Sequence, residues 1–177
     1  MYGLATIAPT FDEPLEMLEA CHKHIEAQLA TLEKLAAHLL AHGADTQARE
    51  AARAVMRYFD TAGVHHHRDE DEDLFPLLRR LAAERQVPVI AAVINDLERE
   101  HATMDLQWSR LRERLDAIAR GADAFLDADD VTRFAWLYRR HMEAENAAVL
   151  PFAKEALNAA QRTALAQRMA TRRMSIR

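Results

Sequence analysis

Cysteine occurs once in this 177-residue chain, at Cys21, which excludes an intrachain disulfide framework and suits a reducing compartment. Turn breakers are scarce as well, with 4 Gly and 5 Pro. No stretch alternates Val, Ile, Thr or aromatic residues between turn signals, so the sequence offers no strands. There is no excess of positive charge: the net charge is −5 and the pI about 6.0, which argues against a nucleic-acid partner. No run approaches the roughly 20 apolar residues of a membrane span. The opening MYGLATIAPT has neither a basic start nor a long apolar core, so no signal peptide is expected. A soluble, cytoplasmic protein is the expectation.

What remains is a composition that is 50% hydrophobic and rich in Ala and Leu, which favours helix nearly everywhere. The length fits one domain, and the fold class is all-α. Charge clusters in two places, an acidic RDEDED at 68–73 and a basic RTALAQRMATRRMSIR at the end. The basic stretch reads first as a solvated terminal helix.

Punctuation divides the chain into four long helices. Asp12 can cap the first, with Pro14 in its first turn and Phe11 in the position of a hydrophobic staple, and Gly43 ends it. The second opens near Asp45 and runs to the QVP break at 86–88, with Pro76 as a kink or stop. Pro88 starts the third and Gly121 closes it; Asp129 or Asp130 caps the fourth, which ends near Asn158. Short loops between long helices imply an up-down-up-down antiparallel four-helix bundle. The expected organisation is an N-terminal arm over 1–10, the bundle over 11–158, and a short basic C-terminal helix or tail over 159–177.

Two of the helices carry an apolar stripe at 3-4 spacing with a histidine inside it. In the first, Leu15, Leu18, His22, Ile25, Leu29 and Leu32 form the stripe; in the third, Ile94, Leu97, His101, Met104, Trp108 and Leu111 match them at an offset of 79 residues. The other two helices repeat each other at an offset of 75: Phe59, His66, Glu70 and Pro76 correspond to Phe134, His141, Glu145 and Pro151. Leu77 and Leu81 are expected on the His66 face, and Phe152 on the His141 face. The chain is thus two helical hairpins of like design, each with one lone His and one His-x-x-x-Glu.

A single histidine in an apolar stripe is ordinarily a hydrogen-bonded core residue. Six ionisable groups aimed into one core are another matter, because each would cost several kcal/mol if left unpaired. Metal coordination removes that cost. His and Glu four residues apart share a helix face and can reach a common point. Four His and two Glu exceed what one zinc takes, and calcium and magnesium prefer oxygen throughout. Two iron-like ions bridged by Glu70 and Glu145, each holding two imidazoles, suit the inventory and leave room for a bridging oxo or hydroxo group and an external ligand. Cys21 faces another direction, and His38 and His42 sit near a helix C-terminus that favours a charged imidazole.

The segments EMLEACHKHIEAQLATLEKL, YFDTAGVHHHRDEDEDLFPLL, DLEREHATMDLQWSRLRERL and YRRHMEAENAAVLPFAKEAL resemble the four helices of hemerythrin-like, "HHE" cation-binding domains. Leu74, Phe75 and Pro76, with Leu150 and Pro151 in the second copy, are similar to that family's usual ending of the motif. The resemblance implies a non-haem di-iron site with ligand roles for His22, His66, Glu70, His101, His141 and Glu145. It further implies binding or sensing of oxygen, nitric oxide or redox state, or iron handling, by a monomer or homodimer. Zinc or manganese is an expected substitute on purification. The oxygen-carrying members use five His, whereas four lie in the stripes here, which weighs against reversible oxygen carriage. His67 is the candidate fifth ligand, although it points about 100° away from His66 and reads equally as a solvated neighbour. Glu26 and Asp105 are the other candidates. Asp71 and Asn146 stand where relatives carry a second Glu, an expected loosening around the site. The alternative is a ferritin-like di-iron oxidase or peroxidase, in which Glu19 and Glu98, each three residues before a lone His, would be ligands.

Overall fold

The computed structural model describes residues 13–122 and 125–174. Helix α1 covers Pro14–His42; α2 spans 46–84, α3 covers Pro88–Ala119, α4 spans 128–156, and a fifth helix, α5, covers Ala159–Met174. No strand occurs among the described residues. Each of α1–α4 packs against its two neighbours around a square, α1 against α2 and α4, and α3 against α2 and α4, while α5 lies across α1 and the middle of α2. No described helix is long and apolar enough to cross a membrane.

The breaks follow the sequence with one shift. Gly43 and Gly121 both adopt positive φ, 65° and 78°, where the chain leaves α1 and α3. Asp45 caps α2 by accepting the amide of Ala48 at 2.8 Å, and the same carboxylate holds His38 Nε2 at 3.0 Å. The cap of α4 is Asp127, not Asp129 or Asp130: its extended backbone lets the side chain accept the Asp129 amide at 2.8 Å. Glu13 occupies the cap position of α1 without a side-chain hydrogen bond, and the expected contributions of Phe11 and Asp12 lie outside the described residues.

Neither Pro76 nor Pro151 stops its helix. Each follows a π-helical turn, Glu70–Leu74 in α2 and Glu145–Val149 in α4. In these turns the amide of Phe75 donates to the Glu70 carbonyl and that of Leu150 to the Glu145 carbonyl, five residues back. Proline has no N–H to give, and its ring crowds the carbonyl four residues earlier; a wider turn accommodates both. The extra residue also turns the residues just downstream by one position, while Leu81 stays buried as expected. Leu78 and Ala153 are therefore fully buried, while Leu77 and Phe152, expected on the core face, are only half-buried.

The core comes in two apolar blocks. One gathers Ile25, Leu29, Phe59, Met104, Leu115, Phe134 and Tyr138, and the other Leu15, Leu18, Phe75, Leu78, Ile94, Leu97 and Leu150. Helix α5 adds Leu165 and Met169 to the second block. Its basic end is not simply solvated. Arg172 pairs with Asp69, Glu72 and Asp73, Arg173 with Asp69 at 2.7 Å, and Arg168 with Asp73 at 2.7 Å. The basic helix thus covers the chain's own acidic run, and Asp69 beneath it has no exposed surface.

The rotated face in α2 makes adjacent leucines unequal. Leu78→Ala should cost about 2–5 kcal/mol, as for other fully buried leucines, and Leu77→Ala about 1 kcal/mol or less. Denaturant melts of the two variants check this; equal losses would place the face where an unbroken α-helix puts it.

Candidate metal centre

Between the two apolar blocks lies one polar layer, and each helix supplies it from the middle of its stripe. His22 sits between Leu18 and Ile25 of α1, His101 between Leu97 and Met104 of α3, and the His-x-x-x-Glu pairs between Phe59 and Leu74 in α2 and between Phe134 and Val149 in α4. All six predicted residues are buried, none more than 6% exposed. They form two groups, His22, His66, Glu70 and Glu145, and Glu70, His101, His141 and Glu145, with the ligand atoms of each group within 4.8 Å of one another.

The carboxylates are shared between the groups oxygen by oxygen. Glu70 turns Oε1 toward His66 Nε2 at 3.4 Å and Oε2 toward His101 Nε2 at 3.5 Å. Glu145 turns Oε2 toward His22 Nε2 at 2.9 Å and Oε1 toward His141 Nε2 at 3.4 Å. Each Glu thus presents one oxygen to each group, the orientation of a bridging carboxylate.

The outward nitrogens fix what the inward ones offer. His101 Nδ1 lies 2.8 Å from Asp71 Oδ1, and His141 Nδ1 lies 3.1 Å from Glu100 Oε2, whose other oxygen pairs with Arg140. An ionised carboxylate only accepts, so both Nδ1 atoms carry the hydrogen and donate it. In the neutral rings the two Nε2 atoms then bear lone pairs, yet they face each other at 3.0 Å. Two lone pairs at that distance repel, which a proton shared between the rings or a metal cation against both relieves. His22 Nδ1 donates in the same way to Asn146 Oδ1 at 3.0 Å, and its Nε2 faces Glu145 Oε2 at 2.9 Å. The buried atoms without a hydrogen-bond partner include His22 Nε2, His66 Nε2, Glu70 Oε2 and both oxygens of Glu145, all of them donors in the two groups. This donor set fits metal coordination: neutral imidazoles and carboxylates, desolvated and convergent.

Burial drives the proton affinities apart. The pKa of His66 and that of His67 are held well below the ordinary imidazole value, by desolvation first and neighbouring imidazoles second. Glu70 is pushed well above the usual carboxylate range, by burial and then by the charge of Glu145. Burial alone would raise Glu145 too, but His141, His22 and His66 around it hold it well below that range.

Several secondary expectations change. His67 is not a solvated neighbour: it is buried, stacked on His101 with ring centroids 4.0 Å apart, and flanked by Tyr138 at 5.7 Å. The π turn at Phe59–Gly63, just upstream, precedes this stretch of three buried histidines, His65, His66 and His67. His67 belongs to neither four-residue group; it walls one side of His101. Glu26 is bound to Arg139 at 2.8 Å, and Asp105 is exposed. Asp71 and Asn146 do not loosen the surroundings. Each reaches across to the lone His of the other hairpin, a role that the repeat hides because Asp71 and Asn146 differ in type. Glu19 and Glu98, the ligands a ferritin-like centre needs, turn outward to Lys154 and Arg79, 2.5 Å away in each case. Cys21 lies in neither group, and burial pushes its thiol up to about 11.

A bundle of four antiparallel helices with two His₂Glu₂ groups sharing their carboxylates defines a class of cation-binding helical proteins. Residues 13–153 match the hemerythrin HHE cation-binding domain, and the chain belongs to that family. It is also 29% identical over 164 residues to a Haemophilus influenzae protein described only as uncharacterized, a likeness covering 93% of this chain and 92% of that one.

The metal-free protein should be most stable near pH 6.5. Below that value the unfolded chain protonates His65, His66 and His67 more readily than the folded chain does; against this, Glu70 keeps in the folded chain a proton that the unfolded chain releases above 4.5. The unfolded state then binds more protons on balance, and stability falls with acid. Above 6.5 only the Glu70 proton remains in the difference, and stability falls as pH rises. Urea midpoints of the chelated protein at pH 5.5, 6.5 and 7.5 check the sign, and a steady climb across the series would contradict the proton on Glu70.

Proposed function

We propose that the chain is a non-haem di-iron protein of the hemerythrin type that binds or senses a small ligand such as oxygen or nitric oxide, or handles iron. The observation that carries this reading is the sharing of Glu70 and Glu145, oxygen by oxygen, between two pairs of imidazoles. One pair, His22 and His66, would hold one ion; His101 and His141 would hold the other. Nitrogen-rich donors with carboxylate bridges suit iron, with zinc or manganese as substitutes. When bound, the ions would supply reversible electron transfer and open positions for the ligand. The chain's own residues do the rest. Asp71, Asn146 and Glu100 orient three imidazoles with Nε2 inward, and the apolar blocks above and below exclude water. The outward salt bridges of Glu19 and Glu98 weigh against a ferritin-like oxidase.

His66→Ala and His141→Ala should each lose most of one or both metals, whereas Glu19→Ala and Glu98→Ala should keep near-normal content. Elemental analysis of the four variants beside circular dichroism checks this. Depletion in the Glu variants alone would transfer the ligands to the ferritin-like set.

Wild-type protein from iron-supplemented medium is expected to hold about two irons per chain. Chelation should lower its melting temperature without loss of helix, because a ligand bound only to the folded state stabilises it by mass action. A stoichiometry of one, or an unchanged melting temperature after complete removal, contradicts the two-ion site.

A further inference from the structure

The two halves of the centre share both carboxylates, so any difference between them must come from the imidazoles and what stands behind them. Behind the His101–His141 half stand two carboxylates, Asp71 on one ring and Glu100 on the other. Behind the His22–His66 half stands the neutral amide of Asn146 on one ring, and His66 Nδ1 has no hydrogen-bond partner among the described residues. An imidazole that donates to a carboxylate is more basic at its other nitrogen and gains negative charge behind it, and such a partner typically changes metal affinity by about 10–100-fold. Arg140 offsets part of the charge on Glu100, which leaves Asp71 as the stronger source of the difference.

The surface points the same way. A groove of about 840 Å³ lies between α1 and α4, with His22, Lys23, Met142, Glu143, Asn146 and Ala147 among its lining residues. His101 and His141 do not line it. His22, in the half with the weaker backing, therefore borders a solvent-filled groove.

We propose that Asp71 and Asn146 set an order of loading: the His101–His141 position fills first and holds its ion, and the His22–His66 position fills second and exchanges through the groove over Asn146. This rests on the two-ion reading above. Asp71 and Asn146 are positioning residues that act through His101 and His22. The pseudo-symmetry of the hairpins supplies two like sites, and Asp against Asn, with Glu100 behind His141 and no such carboxylate behind His66, makes them unequal.

Anaerobic titration of metal-free protein with Co²⁺, followed by visible absorption, tests the order. Wild type should take two equivalents in two steps separated by about tenfold or more. Asn146→Asp should tighten the second step and narrow the gap, whereas Asp71→Asn should weaken the first. His22→Ala should keep the first step and lose the second, with the absorption bands of the remaining ion unchanged. Because Asn146→Asp is predicted to gain affinity, a folding defect cannot mimic it. Two equivalents bound with indistinguishable affinities, or a second step unmoved by Asn146→Asp, would overturn the loading order and leave the two-ion centre standing. Fewer than two equivalents in wild type would overturn the centre itself, and the order with it.

Discussion

A layer of imidazoles and carboxylates between two apolar blocks is the constraint around which the rest of this molecule is arranged. Each buried polar group there costs several kcal/mol if unpaired, and the helices cannot move it to solvent without exposing the leucines one turn above and below. The layer is tolerable because the outward nitrogens of three of its four imidazoles are hydrogen-bonded and its inward atoms converge. Asp71, Glu100 and Asn146 take the outward nitrogens of His101, His141 and His22. The inward nitrogens and carboxylate oxygens are the ones left for coordination. The same burial that makes the layer expensive makes it a good cation site, since it disfavours the charged form of His66 and removes competing water.

Two features of the backbone serve this layer. The π turns begin at Glu70 and Glu145 themselves, so each shared carboxylate stands where the helix begins to widen. The prolines that follow are consistent with the wide turn rather than with a helix end. The cross-hairpin hydrogen bonds then lock the lone histidines of α1 and α3 to α4 and α2, so that the two hairpins are joined through the site as well as through the apolar blocks. On the outside, α5 neutralises the acidic run next to Glu70; without Arg172 and Arg173, the buried carboxylate of Asp69 would have no counter-charge.

Much of this was legible in the sequence, and for a physical reason. Helix period, capping residues and the recurrence of His and Glu at fixed offsets are local properties, each determined by residues within a turn or two of one another. They were enough for the all-α class, the four-helix order, the six inward residues and the membership in two like hairpins. The cap of α4 was misplaced by two or three residues because Asp127, Asp129 and Asp130 all suit a cap, and only backbone geometry chooses among them.

What the tertiary structure alone decided depends on contacts between elements far apart in the chain. The π turns shifted the core face from Leu77 to Leu78 and from Phe152 to Ala153, which an ideal helical period cannot anticipate. Packing against His101 and Tyr138 turned His67 from an apparently solvated neighbour into a buried wall of the site. The basic C-terminal helix found its partner in RDEDED about a hundred residues earlier. Asp71 and Asn146 acquired their roles only when α2 met α3 and α4 met α1. The sequence by itself determined which residues turn inward, because that is a matter of helical phase; which of them touch, and through which atom, was decided by the approach of helices that the chain's local rules do not encode.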